Sequence, residues 1–171
     1  MQRQIYDEQG HAHFITFSCF KRRRLLDHDH AKGTVVSNLR HQLPKHDSRC
    51  LGFVVMPDHV HALLWFPRRG VLSDFVKWWK QRSSFEIKQF FRGAMPLYTG
   101  AFDLKEPVWQ PRYYDFNVFS DKKLVEKLEY MHSNPVRAGL VHVPSDWLYS
   151  SARFYEMGES VGVPITVWSE L

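Results

Sequence analysis

The chain is poor in cysteine: Cys19 and Cys50 are the only two among 171 residues. They share no CxxC spacing, which argues against a disulfide framework and against a cysteine-built zinc site. No stretch approaches the ~18 apolar residues of a membrane-spanning helix. The opening MQRQIYDEQG is polar and lacks the apolar centre of a signal peptide. No internal repeat, low-complexity tract or linker interrupts the sequence. The expectation is a single domain over residues 1–171, with a tail from about residue 142 packed back on the core. A cytoplasmic location and no membrane partner are expected with it.

Apolar residues make up 44% of the chain and aromatics 15%, enough to build a folded core. The 23 Lys and Arg against 18 Asp and Glu leave a net +5, which permits a polyanionic partner without requiring one.

Periodicity divides the chain into alternating elements. HFITFSCF (13–20) is aromatic and β-branched and reads as a strand. Residues 27–46 have looser helical spacing, with Val35, Val36, Leu39 and Leu43 on one face. CLGFVVM (50–56) is a nearly continuous apolar run, and HVHALLWF (59–66) is its expected hairpin partner across the turn pair Pro57-Asp58. Leu72, Phe75, Val76, Trp79 and Ile87 recur at helical spacing over residues 71–91. Gly and Pro mark residues 92–107 as a loop, and residues 108–119 read as an edge strand broken at Pro111. Ser120-Asp121 caps a helix over residues 121–134, with Leu124, Val125, Leu128 and Met131 as its buried face. Pro135 is expected to stop or kink it. Trp147, Tyr149, Phe154 and Trp168 are expected to pack back on the core. This order is α+β and suits a ferredoxin-like antiparallel sheet with helices packed mainly on one face, the two strands around Pro57 lying centrally.

MPDHVHALLWF (56–66) places His59 and His61 one residue apart in that apolar run. On a strand both imidazoles point to the same side, with Cα atoms roughly 6.5 Å apart. Such a pair can converge on one divalent cation, or each ring can simply hydrogen-bond locally. KLEYMHSNPVRAGLV (127–141) places Tyr130 and Asn134 four residues apart on one helix face, with His132 directed elsewhere. Asn134 can add a carbonyl oxygen to a metal. A phenol is a weak nucleophile at its free pKa of ~10, but beside a cation that polarises a phosphate it can attack phosphorus. A helical Tyr with its hydroxyl at the core rim, and an Asn at a helix stop, are the plainer alternatives.

MPDHVHALL, WQPRYYDF, YMHSNPVRAGLV and DWLYSS, taken together, resemble the REP-associated tyrosine transposases, single-tyrosine HUH transposases of insertion sequences; the resemblance runs from about His13 to Ser151. It implies an HUH nuclease type of ferredoxin-like fold. It implies His59 and His61 as ligands of Mg²⁺ or Mn²⁺, Asn134 as a third ligand, and Tyr130 as nucleophile. The implied activity is cleavage and transfer of single-stranded DNA at palindromic repeat hairpins through a 5′-phosphotyrosine, by a monomer or a homodimer. A hairpin-binding protein derived from a transposase, gripping DNA without cutting, is the alternative. Candidate DNA contacts are Arg22, Arg23, Arg24, Lys77, Lys80, Arg82, Arg112 and Arg137, with Arg112 followed directly by Tyr113-Tyr114.

Overall fold

A computed structural model describes residues 12–94 and 103–171. Four strands, β1 (Ala12–Ser18), β2 (Arg49–Val55), β3 (His59–Trp65) and β4 (Tyr114–Val118), form one sheet in the order β2-β3-β1-β4. Every pairing is antiparallel. The helices are α1 (Asp29–Gln42), α2 (Val71–Ala94), α3 (Asp121–Arg137) and the short α4 (Ala152–Met157). This is the βαββαβ succession of a ferredoxin-like α+β fold. No helix among the described residues is long and apolar enough to cross a membrane.

Alternation along the strands gives each face its own core. Ile15 and Phe17 of β1, Phe53 and Val55 of β2, and Val60, Ala62 and Leu64 of β3 pack against α1 and α2 through Val35, Leu39, Phe75 and Trp79. The other parity, Phe14, Val54 and Leu63, packs under Leu124 and Met131 of α3. His59 and His61 share the parity of Leu63, so the histidines open toward α3.

The near-continuous apolar run of β2 is buried as expected, but the strand lies at the sheet edge, and β3 and β1 are central. Burial is supplied by the C-terminal segment, which pairs with that edge. Val55 donates to the Tyr149 carbonyl at 2.8 Å, Ser151 to Phe53 at 2.9 Å and Thr166 to Cys50 at 2.9 Å. The Trp147 indole donates to the Val55 carbonyl at 3.0 Å, so the tail aromatic also satisfies a backbone acceptor. Covering an edge in this way removes a template for aggregation. At the opposite edge, Pro111 does break the segment before β4. Trp109 bridges Cys19 ahead of it, and β4 begins only at Tyr114. Of the loop expected over residues 92–107, the first three residues continue α2 to Ala94, and residues 95–102 lie outside the described residues.

Helix α3 departs from expectation in its buried face and at its C-terminal end. Leu124 and Met131 are buried and Leu128 is partly so, but Val125 is 50% exposed, because the contact face runs 124, 128, 131, 135. Ser120 caps the start, its hydroxyl accepting from the Lys123 amide. Pro135 does not stop the helix. It sits in the last turn, where its missing N–H costs a single bond, and the helix continues to Arg137. The stop comes at Gly139, with φ +71°. Leu140 donates to Pro135 and Gly139 to Val136, both at 2.9 Å, the paired closure of a Schellman motif.

Close seating of α3 needs Gly52, beside the bulge at Cys50/Gly52. A Cβ there would lie 2.6 Å from a Leu128 methyl and 3.0 Å from the Met131 methyl. Those are ends of flexible side chains, so Gly52→Ala is expected to be mild. Gly52→Val should cost about 1–3 kcal/mol through overpacking. Urea unfolding of the two variants checks the order, and equal losses would contradict it.

Candidate active site

Thr16 and His61 are direct partners across β1 and β3, as are Ser18 and His59, and Tyr114 of β4 faces Thr16 from the other side. This cross-strand row floors a cleft of 510 Å³ lined by Phe14, Thr16, Arg22, His59, His61, Tyr114, Lys127, Tyr130 and Asn134. A larger groove of 720 Å³ lies between α1 and α2 on the far side of the sheet, lined by residues such as His30, Glu86 and Phe90. It holds none of the residues singled out for chemistry.

The two imidazoles are fixed through the same nitrogen. His59 Nδ1 lies 2.6 Å from Asp58 Oδ1, and His61 Nδ1 lies 2.6 Å from Thr16 Oγ1. An Nδ1–H donated to oxygen leaves the lone pair on Nε2. The rings meet edge to face with centroids 4.7 Å apart. His61 Nε2 is buried and has no hydrogen-bond partner among the described residues. Burial pushes the His61 pKa down to about 3, and repulsion from His59 when protonated and from Arg22, Arg137 and Lys127 adds to the effect. Burial also lowers the His59 pKa, with Asp58 opposing. Both rings are therefore neutral, as ligation requires.

Helix α3 roofs the cleft. Lys127, Tyr130, Asn134 and Arg137 recur at helical spacing and form a stripe beside the apolar contact face. Tyr130 is 43% exposed, and its ring stands 5.4 Å from that of His61 and 6.1 Å from that of Phe14. The Arg137 guanidinium lies 4.5 Å over the Tyr130 ring and donates to the Tyr130 carbonyl at 3.2 Å. Lys127 holds its ammonium 4.7 Å over Phe14 and 4.6 Å over Phe116. The Asn134 amide group lies 3.5 Å from His59 Nε2, and a half-turn about χ2 exchanges its nitrogen for its oxygen. His132 points away, to the Ser151 hydroxyl at 2.8 Å.

An orphaned imidazole nitrogen, a second Nε2 beside it and an amide oxygen within reach fit a divalent cation. Among the described residues no group of three His, Cys, Asp or Glu side chains forms a cage.

The basic candidates fall in different places. Arg22 lines the cleft and Arg137 stacks on Tyr130. Arg23 is held by the Phe20, Asp103 and Pro107 carbonyls, and Lys80 by those of Gln110 and Pro111. Arg24 pairs with Asp27 and Arg82 with Glu86. Lys77 is exposed on α2, on the far side of the sheet, and Arg112 is exposed before β4. Sequence reasoning passed over Thr16, Phe14 and Lys127, read Asp58 only as a turn residue, and named Tyr114 only as a neighbour of Arg112. Lys127 was detectable, since it lies three residues before Tyr130 on the same helix. Thr16 needed the strand register.

Residues 7–134 match the model of the family described as Transposase IS200 like. The chain belongs to that family. The matched span takes in both histidines, Tyr130 and Asn134. The family member named REP-associated tyrosine transposase in Escherichia coli (strain K12) is 32% identical over 99 residues, 58% of this chain and 51% of its own. A second relative, from Haemophilus influenzae, is 28% identical over 102 residues, 57% of this chain and 54% of its own. The chain thus spans about half the length of the relatives it matches. Among solved structures, a REP-associated tyrosine transposase bound to a REP hairpin superposes with a TM-score of 0.68. That likeness covers 99% of this chain and 96% of the other at 22% identity, and it establishes the fold.

The buried imidazoles carry a pH signature. Burial lowers the His132 pKa from 6.5 to about 4, and that of His61 to about 3. The unfolded chain therefore takes up protons that the folded chain refuses, and stability is lost as pH falls below 6.5. Urea midpoints in EDTA should drop between pH 6.5 and 4. His132→Gln should flatten the drop by up to one proton, ~1.4 kcal/mol per pH unit. An unchanged slope in that variant would contradict the assignment.

Proposed function

We propose that this IS200-like transposase cleaves and rejoins single-stranded DNA with Tyr130 as nucleophile. The observation that carries the reading is the placement of a half-exposed Tyr130 at the lip of the cleft whose floor is the His59–His61 pair. A divalent cation, Mg²⁺ or Mn²⁺, held by Nε2 of His59 and His61 with the Asn134 amide oxygen, would supply charge neutralisation at the phosphate when bound.

The chain's own residues do the rest. The Tyr130 oxygen attacks phosphorus, the bond from phosphorus to the 3′ oxygen breaks, and the phenolic proton leaves as the new ester forms. The products are a 5′-phosphotyrosine and a 3′-hydroxyl. Attack by another 3′-hydroxyl reverses the step and joins strands, with no external energy source because the ester conserves the bond. Arg137 restrains the attacking ring from above and so limits the conformations Tyr130 must give up. Lys127, Arg22 and Arg137 make the cleft cationic, which favours a phosphate backbone. The aromatic faces of Phe14 and Tyr114 offer stacking surface for unpaired bases. Palindromic repeat hairpins are the proposed substrate, in line with the hairpin held by the structural neighbour.

Incubation with a hairpin oligonucleotide drawn from the repeats flanking the gene should yield a covalent protein–DNA adduct on a denaturing gel. Tyr130→Phe should lower adduct formation at least about 10³-fold while changing hairpin affinity less than about threefold. Cleavage at the wild-type rate by that variant rules out Tyr130. Tight binding with no adduct from the wild-type chain, with Mg²⁺ or Mn²⁺ present, points instead to a protein that grips hairpins without cutting them. Full activity in EDTA removes the metal from the reading.

A further inference from the structure

The reach of the site extends beyond the residues that would touch metal or DNA. Asp58 has both carboxylate oxygens committed. Oδ1 lies 2.6 Å from His59 Nδ1, and Oδ2 takes an ion pair from Arg22 Nε at 2.9 Å. Arg22 in turn donates from Nη1 to Ser18 Oγ at 2.8 Å, and Ser18 is the β1 residue directly opposite His59. The result is a closed circuit, Ser18–Arg22–Asp58–His59, two of whose members are a facing pair on adjacent central strands.

Reaching this geometry strains the backbone. Lys21 and Arg22 both adopt φ of +56°, and neither is glycine. A residue other than glycine in the left-handed region is strained. Two in succession persist only where surrounding contacts hold them. Backbone hydrogen bonds hold them: Cys19 donates to the Asp58 carbonyl and Phe20 to that of Val108, both at 2.8 Å, while Leu26 donates to that of Pro57 at 2.9 Å. The strained turn is thereby laced to the β2–β3 turn that carries Asp58. Its effect is to bring a guanidinium back over the end of β1 and onto that carboxylate.

The chemistry of the circuit is directional. A carboxylate on Nδ1 draws the imidazole proton to that nitrogen and leaves Nε2 as the lone-pair donor. Each Asp58 oxygen already holds one partner, Oδ1 on His59 and Oδ2 on Arg22, which orients the carboxylate behind the ring. The guanidinium restrains the carboxylate from turning, and Arg22 also lines the cleft. His61 achieves the same tautomer with a neutral hydroxyl, Thr16, so the charged circuit is particular to His59.

We infer that Asp58, braced by Arg22 on its strained turn, is a positioning residue that fixes the tautomer and orientation of His59 for metal binding. The inference rests on the metal reading of the histidine pair given above, and it assigns Asp58 to the circuit behind the ligand set. Arg22 thereby has a structural duty in addition to any contact with DNA.

Two measurements test it. In the metal-free protein, long-range ¹H–¹⁵N NMR of the imidazoles should show His59 as the Nδ1–H tautomer, and Asp58→Ala should shift it toward a mixture. A wild-type His59 carrying its proton on Nε2 overturns the proposal. In the second, Mn²⁺ binding is followed by electron paramagnetic resonance without DNA. Asp58→Ala should weaken affinity about 10–100-fold. The isosteric Asp58→Asn should weaken it about tenfold, which keeps the test decisive if the alanine variant does not melt cooperatively. Arg22→Ala should give a smaller loss, about threefold or more. Wild-type Mn²⁺ affinity in a folded Asp58 variant, or in Arg22→Ala, overturns the proposal. Failure of the wild-type chain to bind Mn²⁺ instead removes the metal reading itself, and the tautomer measurement then still decides what Asp58 does to His59.

Discussion

The close approach of α3 to the sheet at Gly52 is the constraint on which the cleft depends. Where the backbone of β2 carries no side chain, Leu128 and Met131 descend far enough to meet it. Burying Leu124 and Met131 there supplies roughly 1.5–3 kcal/mol for each side chain, enough to fix the helix in rotation as well as height. Rotation is the quantity that matters. The stripe Lys127, Tyr130, Asn134, Arg137 lies about 100° round the helix from the apolar contact face. Seating one face over β2 and β3 therefore aims the other at the histidines.

That arrangement sets neutral donors among fixed cations. Both imidazoles are held uncharged by burial, and each commits its Nδ1 to an oxygen of the scaffold. The permanent charges are carried by side chains at the margin, on Arg22, Lys127 and Arg137. The proposed cation and phosphodiester would have opposite needs, lone pairs at the floor and positive charge at the rim. The sheet provides the first. Helix α3 and the strained turn after β1 provide the second.

Much of this was legible in the sequence, and the gaps have physical causes. The period-two spacing of His59 and His61 set them on one face, and the four-residue spacing of Tyr130 and Asn134 set those on another; the structure brings the two pairs together. The α+β order and the β2–β3 hairpin were readable from apolar runs separated by turn residues. The place of β2 in the sheet was not. An edge strand covered by the C-terminal segment is as apolar as a central one, and only the pairing distinguishes them. Val125 was misassigned because adjacent apolar residues on a helix leave the rotation ambiguous by about 100°. The helix end was placed too early because Pro135 was taken as the stop, when Gly139 closes the final turn. Thr16 and Asp58 are everyday polar residues whose roles arise only from register and from a neighbouring turn.

Ser151 ties three parts of the chain together. Its hydroxyl accepts from the Phe53 amide at 2.9 Å and meets His132 of α3 at 2.8 Å, across a sequence separation of 98 residues to β2. Closing so long a loop is slow, and it waits on the segment that carries Ser151. As the chain leaves the ribosome, the strand bearing the imidazoles is therefore finished well before the clasp that steadies the helix above it. Until Ser151 arrives, α3 lacks its hydrogen-bonded tie to β2 through His132.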